Sequence, residues 1–292
     1  MSKPGTSTRA VPVRIRHGII VANIGSYSDP ATVMELANLA EASGWEALLI
    51  WDHLGFVWDA PSCDPWVTLA AVAASTRKLM LGTGVTPLAR YRPQRLAMTT
   101  STLSRLRPGG FVLGVGLGGV PGEFSAFGES GELGERAARL DEGLEVLSGL
   151  WSGQEVNHRG RYYTVDGVTL APRPAETIPV WVGGNATAAM KRAARWHGWF
   201  ADSTDAIEMT LDPADFAKGV ETVRAQRDRD GPMDYIVQGY SDGADRELVD
   251  GYRRAGATWW LEAIHDIRGS LPEMMDRVRA GPAAEPRDSL EL

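Results

Sequence analysis

Leu79-Met-Leu-Gly-Thr-Gly-Val85 and Phe111-Val-Leu-Gly-Val115 are two short apolar runs, and between them Pro93 opens a stretch of helical character that lasts to Leu106. Unbroken apolar runs of this length are the signature of strands covered on both faces, and parallel strands need a crossover between them, usually a helix. Pro93 suits a first helical turn, where the missing N–H costs nothing, and Pro108-Gly109-Gly110 reads as the turn into the next strand. The stretch is therefore one strand–helix–strand unit.

Working outward, the same unit recurs. Toward the N-terminus, Asp64-Pro65 caps a helix carrying Val67, Leu69, Ala70, Val72 and Ala73, and Ala47 to Ile50 form a strand. Before them, Asp29-Pro30 opens a helix with Val33, Leu36, Ala37, Leu39 and Ala40, which Gly44 stops, and Ile19 to Ala22 form the first strand. Toward the C-terminus the predicted strands are Pro179–Val182, Trp199–Ala201, Tyr235–Val237 and Thr258–Leu261. They alternate with helices at about Glu135–Trp151, Thr187–Trp196, Asp212 to near Arg229, Arg246–Ala255 and Pro272–Arg279. Eight such repeats favour an α/β chain closed into a (β/α)8 TIM barrel over an open sheet. One segment breaks the cycle: Gln154 to Pro174 alternates around Gly160 and Gly167, which predicts a hairpin inserted between helix four and strand five. Residues 1–12 and 282–292 read as mobile and loose tails, leaving residues 13–281 as a single barrel domain.

Bulk properties agree. A chain of 292 residues could hold two average domains, but α/β barrels of ~250 residues form one. Thirty basic residues against 37 acidic give a net charge of −7, which argues against nucleic acid as a partner. Cys63 is the only cysteine, so no internal disulfide or thiolate metal cluster can form, and it reads as a small half-buried residue more readily than as a nucleophile. No window approaches the ~20 uninterrupted apolar residues of a membrane span, and no secretory leader pattern occurs, so a cytoplasmic protein is expected.

Barrel active sites lie at the C-terminal ends of strands. Those positions hold Asn23, Trp51-Asp52-His53, Thr83-Gly84, Gly116 to Glu123, Gly183-Gly184-Asn185, Asp202, Tyr240 and Glu262. His53 can exchange a proton with a ring lying across the mouth, with Asp52 fixing its tautomer, or can simply bond Asp52 or a backbone carbonyl. Gly114-Val-Gly-Leu-Gly-Gly119 formally satisfies a dinucleotide fingerprint, but Pro121-Gly122-Glu123-Phe124 follows where a helix should open. Glycines at 116, 118 and 119 that let a flat cofactor approach the backbone fit better, and a plain turn remains an alternative. Gly183-Gly184-Asn185-Ala186-Thr187 leads into a helix and suits an anion, or else Asn185 is an ordinary N-cap. Trp51, Phe56, Trp58 and Phe124 would line an apolar substrate pocket. Arg90, Arg92 and Arg95 read as an exposed helix start, and nothing has metal-ligand spacing.

In order and spacing these stretches resemble the luciferase-like flavin-dependent oxidoreductases. The likeness rests on the opening strand, Trp51-Asp52-His53, Leu79–Pro87, Arg92-Pro93, Gly114–Gly119 with Glu123-Phe124 and Phe127-Gly128, and Pro172-Arg173-Pro174 leading into Ile178–Gly184. The resemblance implies a barrel with an insertion that binds FMN or the deazaflavin F420 across its mouth, with a slight lean to F420 because Asp52-His53 replaces the Glu-His-His of many monooxygenases. It places Thr83 and Gly84 at a strand-three bulge under the ring and Gly183 to Thr187 at the phosphate. It makes His53 the residue facing the substrate side and puts Glu123 near an acid used by deazaflavin members. Gly118 stands where luciferases carry an arginine, so light emission is not expected. It further implies a small organic substrate, a dimer, and a separate flavin or F420 reductase as supplier. With FMN the expected reaction is oxygenation; with F420 it is hydride transfer, with His53 or Glu123 managing the proton. Two other readings stay open: an NAD(P)-dependent dehydrogenase using Gly114–Gly119, and a flavin-binding barrel without chemistry.

Overall fold

The computed structural model describes residues 14–107, 110–205 and 207–283. The tail expected at 1–12, the tail expected at 282–292 from residue 284 onward, and most of the Pro108-Gly109-Gly110 turn lie outside the described residues.

Eight parallel strands close into a barrel: β1 (Arg16–Val21), β2 (Ala47–Ile50), β3 (Met80–Pro87), β4 (Phe111–Gly116), β7 (Val180–Gly183), β8 (Gly198–Ala201), β9 (Asp234–Gly239) and β10 (Trp259–Ile264). Around the ring they run β1-β10-β9-β8-β7-β4-β3-β2, and β1 pairs with both β2 and β10. The remaining strands, β5 (Val156–Arg159) and β6 (Thr164–Val168), make the antiparallel hairpin expected between helix four and strand five. The principal helices are α1 (Pro30–Ala42), α2 (Pro65–Ser75), α3 (Pro93–Leu106), α5 (Leu133–Trp151), α6 (Thr187–Ala194), α7 (Pro213–Ala225), α8 (Arg246–Arg254) and α9 (Leu271–Arg279). A single turn, α4 (Gly122–Ser125), follows β4.

Local chemistry starts the helices where the residues require. Asp29, Asp64 and Asp212 each accept backbone N–H bonds at a first turn opened by proline, and Ser270 with Glu273 forms a capping box on α9. Barrel strands such as β2 and β10 are buried along their whole length, which explains their unbroken apolar sequence. Alternate side chains serve two cores. Ile20, Leu49, Val112, Trp181, Ile236 and Trp259 fill the barrel, with the Trp181 and Trp259 rings 5.6 Å apart. Trp199 and Trp260 point outward, against Phe216 of α7 and Tyr252 of α8. Trp259 and Trp260 thus face opposite sides of β10, as strand alternation demands.

β3 departs from regularity. Its register with β4 shifts between Thr83 and Thr86, and the Gly84–Val85 peptide is cis. The shift turns the Val85 side chain toward β4 and β7, where glycines receive it: a Cβ on Gly116 would stand 2.6 Å from Val85 Cγ2 and one on Gly183 3.3 Å from Cγ1. Gly114 answers a different demand, since a Cβ there would come within 2.0 Å of the Thr83 carbonyl oxygen. The bulge expected at Thr83-Gly84 is present, and the glycines beside it have a packing reason.

Candidate active site

His53 leaves the end of β2, Glu123 sits on α4, and Arg90 occupies a short 3-10 turn, Leu88–Arg90, after β3. These three segments are far apart in sequence and meet at the barrel mouth. His53 Nδ1 lies 2.8 Å from Glu123 Oε1, and the Leu54 N–H donates to the same oxygen at 2.9 Å. Arg90 Nη1 donates to Glu123 Oε2, while its Nη2 donates to the Asp52 carboxylate at 2.5 Å and to the Asp52 carbonyl at 2.7 Å. Tyr91 Oη adds a bond to each Asp52 oxygen.

The two acids share one guanidinium and respond in opposite ways. Burial pushes the Glu123 carboxyl up, but the bonds from His53 and Leu54 and the charges of His53 and Arg90 outweigh it and hold the group below its ordinary range. At Asp52 burial prevails over Arg90 and Tyr91, and the carboxyl is raised. In the neutral tautomer of His53 an ionised Glu123 fixes the proton on Nδ1 and leaves Nε2 as the ring atom that can accept.

His53, Trp51, Pro87, Gly118 and Gly119 wall a cavity of about 140 Å³. It shares Gly84, Val85, Gly118 and Gly119 with a larger trough of about 410 Å³ that extends over Gly183 to Ala186 and along Phe200 to Thr204. The trough ends at α6, whose N-cap is Ala186 and whose first turn has no side-chain cap. Asn185 is not that cap: its side chain exchanges bonds with the Asp202 backbone at 2.5 and 3.0 Å. Thr187 opens the helix without lining the trough.

Several expected contacts take different roles. Asn23 is fully buried, and its amide bonds the His53 carbonyl, the Cys63 carbonyl and the His53 N–H, so it positions His53 and has nothing left for a cofactor. Thr83 is likewise buried, with its hydroxyl donated to the Gly114 carbonyl. Glu123, not Asp52, holds the His53 ring. Glu123 borders the cavity, but its side chain is wholly buried with both oxygens engaged, so it acts through His53. Phe124 is buried under Gly118 and faces a separate groove beside Arg92 and Tyr163. Gly116 supports Val85 rather than the trough itself, Gly118 turns the loop at φ +83, and Gly119 has open space where a Cβ would stand. Phe56 and Trp58 stand half exposed at the rim, with the Trp58 ring edge-on to His53 at 4.8 Å.

The sequence reading missed Arg90, which is an 8% exposed side chain between two carboxylates and not part of an exposed helix start. The signal available was an acid after each of the strands that flank β3, and together these call for a buried cation between them. No helix opens at the last glycine of Gly114–Gly119; the loop passes through Gly118 into the single turn α4, so the dinucleotide geometry is not formed. Among the described residues no group of three metal-ligating side chains occurs, and no helix is long and apolar enough to cross a membrane.

A closed parallel barrel with a bulged third strand, a glycine-walled trough across its mouth and a histidine–glutamate pair beside it defines an α/β-barrel protein with a mouth suited to a flat, anionic ligand. The chain belongs to the luciferase-like monooxygenase family, whose model matches residues 15–260. It is 38% identical over 172 residues to an F420-dependent glucose-6-phosphate dehydrogenase of Nakamurella multipartita, covering 57% of this chain and 50% of that protein. It is 35% identical over 190 residues to an F420-dependent hydroxymycolic acid dehydrogenase of Mycobacterium tuberculosis, covering 63% and 52%. The chain thus spans about half the length of these curated relatives. An F420-dependent secondary alcohol dehydrogenase solved with an F420-acetone adduct has the same fold at TM-score 0.77 and 18% identity, over 91% of this chain and 97% of that one. The monooxygenase RslO1 of Streptomyces bottropensis follows at 0.75 and 21%, with the same coverage.

Proposed function

We propose that the protein is an F420-dependent oxidoreductase that interconverts an alcohol and its carbonyl compound, with His53 moving the hydroxyl proton. The observation that carries this reading is the 2.8 Å contact of His53 Nδ1 with Glu123 Oε1 at the wall of a cavity that opens into the trough. The trough fits a flat ring with a phosphate tail: Gly84-Val85 and Gly118-Gly119 bring backbone to its surface, and the uncapped first turn of α6 offers N–H donors at the other end. Gly183, Gly184 and Ala186 would hold the tail, and Val85 would lie under the ring.

When bound, F420 supplies a two-electron hydride acceptor or donor and does not support the oxygen chemistry of FMN. In alcohol oxidation, His53 Nε2 accepts the hydroxyl proton, and the imidazolium that results is stabilised by Glu123. In the reverse direction the same atom returns the proton to the carbonyl oxygen. Arg90 and Asn23 hold this pair in place, one through Glu123 and the other through the His53 backbone. The F420-dependent dehydrogenases among the relatives support the cofactor. A single cysteine suits the reducing cytoplasm, where we place the enzyme.

Equilibrium binding of F420 and FMN tests the reading. Tight F420 and weak FMN binding is the expected result. The reverse would make the protein an oxygen-using monooxygenase, and binding of neither would overturn the use made of the trough.

A further inference from the structure

Among the described residues, six of the ten exposed large apolar side chains lie between a barrel strand and the next long helix or on that helix's first residue: Phe56, Trp58, Phe127, Leu133, Ile207 and Ile267. Singly, exposed apolar groups need no explanation, but those that touch one another mark a candidate binding surface. Phe127 is 66% exposed and meets Phe56, itself 50% exposed, edge to face at 5.7 Å. Trp58 shares the turn Gly55–Trp58 with Phe56 and meets the His53 ring edge-on. An apolar path therefore leads outward from His53 over Trp58 to Phe56 and Phe127.

The charges point the same way. Among the described residues that line the two mouth cavities, the ionisable side chains are His53 and the acids Asp52, Glu123 and Asp202; no lysine or arginine lines either one. Arg90 is shared between two carboxylates, and Arg268 is committed to Glu262 and to two backbone carbonyls. Lys78 precedes β3 at the opposite end of the barrel, and Lys191 and Lys218 lie in the outer helices α6 and α7. A phosphate at the α6 end meets uncapped N–H donors. Within the cavity at His53 a second phosphate would meet acids and no arginine or lysine; Arg90, Arg92 and Arg139 line the separate groove beside Phe124.

From this we infer that the substrate is an uncharged alcohol or ketone carrying an extended apolar chain, and not a sugar phosphate. The inference rests on the reading of His53 as the site of alcohol–carbonyl exchange. The functional group occupies the small cavity at His53, and the chain leaves over Trp58, Phe56 and Phe127.

The test is a homologous series from 2-butanol to 2-decanol, with glucose 6-phosphate as the anionic comparator. Binding to the cofactor-free protein is read by tryptophan fluorescence, and KM is read with F420 present. Affinity should tighten roughly fourfold per methylene until the chain passes the rim, from ~0.8 kcal/mol per buried CH2. With F420 bound, glucose 6-phosphate should not compete with 2-octanol. In the double variant Phe56→Ser/Phe127→Ser the slope should fall by at least half with F420 affinity unchanged. An affinity independent of chain length, or competition of glucose 6-phosphate with 2-octanol while F420 is bound, would overturn the inference. So would a double variant that changes the oligomeric state by size-exclusion chromatography but keeps the slope, since the rim would then be a protein interface. Turnover of glucose 6-phosphate with F420 would sink this inference alone, whereas an intact slope without F420 binding would sink only the cofactor assignment.

Discussion

Two buried ion-pair clusters, one in the segments after β2, β3 and β4 and the other built on Glu262 within β10, have opposite charge counts. Around Arg90, one guanidinium serves two carboxylates, Asp52 and Glu123, and the surplus acid is turned to His53 at the cavity wall. Around Glu262, one carboxylate serves two guanidiniums, with Arg268 at 2.6 Å and Arg277 at 3.2 Å. It also accepts from the Ser241 N–H, the Ser241 hydroxyl and Trp260 Nε1. The surplus cation is absorbed by the carbonyls of Ser241, Ala263 and Gly281. None of the Glu262 cluster lines a mouth cavity. An acid surplus facing a histidine makes a proton site; a cation surplus facing carbonyls makes a clamp for the loops after β9 and β10.

The largest effect expected from this contrast is at His53. His53→Ala should lower kcat/KM by ~10²–10⁴-fold, the usual worth of a positioned acid–base group. F420 affinity should stay within a few-fold and Tm should move little. Undiminished turnover would erase the difference between the clusters and leave both as structural glue.

Glu262→Gln should reverse the pattern. Removing the charge leaves Arg268 and Arg277 without a counter-ion in a buried place, a change that costs about 3–5 kcal/mol in such pairs. For a domain of this size that lowers Tm on the order of 10 °C. Activity per folded molecule should persist, and a fall in kcat at full foldedness would show that the clamp also serves chemistry.

A smaller effect belongs to Arg90→Lys. An ammonium cannot reach both carboxylates in the forked geometry that Arg90 uses, so either Asp52 or Glu123 loses its cation. Stability should drop by about 2 kcal/mol or more. Where the lysine stays with Asp52, Glu123 loses its cation and burial raises its carboxyl, so the acid limb of the kcat pH profile should move to higher pH. A limb that stays in place while Tm falls would make Arg90 structural only.

How much of this could be read in the sequence depended on the kind of signal. The eight strands and the inserted hairpin were legible because burial on both faces imposes unbroken apolar runs, and Asp-Pro pairs mark helix starts by chemistry that needs no neighbours. His53 and Glu123 were legible as candidates from their place after strands. What stayed hidden was pairing. Glu123 and Glu262 look alike in sequence, both acids at strand ends, and only the fold brings one to His53 and the other to two arginines. Arg90 was read as exposed because a short turn before a proline-led helix gives no local sign of the carboxylates that close over it. Gly116 was assigned to a cofactor although its packing role, making room for Val85, depends on a register shift in β3 that the sequence does not announce; Gly183 both lines the trough and lies beside Val85.

His265 carries the comparison to its smallest and most separable effect. It lies just beyond Glu262, on the cation-rich side of the mouth, 3% exposed and in contact with Trp51. Tyr240 Oη donates to the Asp205 carbonyl at 2.7 Å, so the 3.1 Å contact with His265 Nε2 must be donated by the imidazole, leaving Nδ1 as an unprotonated acceptor. Burial first, and Arg268 second, lower its pKa from 6.5 to about 4. Between those values the unfolded chain binds a proton that the folded chain refuses, so folding stability is intact above pH 6.5 and falls as pH drops toward 4. Below that the folded form is protonated too and this contribution stops changing. By linkage the loss reaches roughly 2 kcal/mol at pH 5. Replacing His265 by Asn should remove it, so the Tm difference between pH 7 and pH 5 should shrink by several degrees relative to the parent. An unchanged difference would mean that His265 accepts its proton in the folded state despite Arg268, and the cation surplus on that side of the mouth would then have no hold on the histidine beside it.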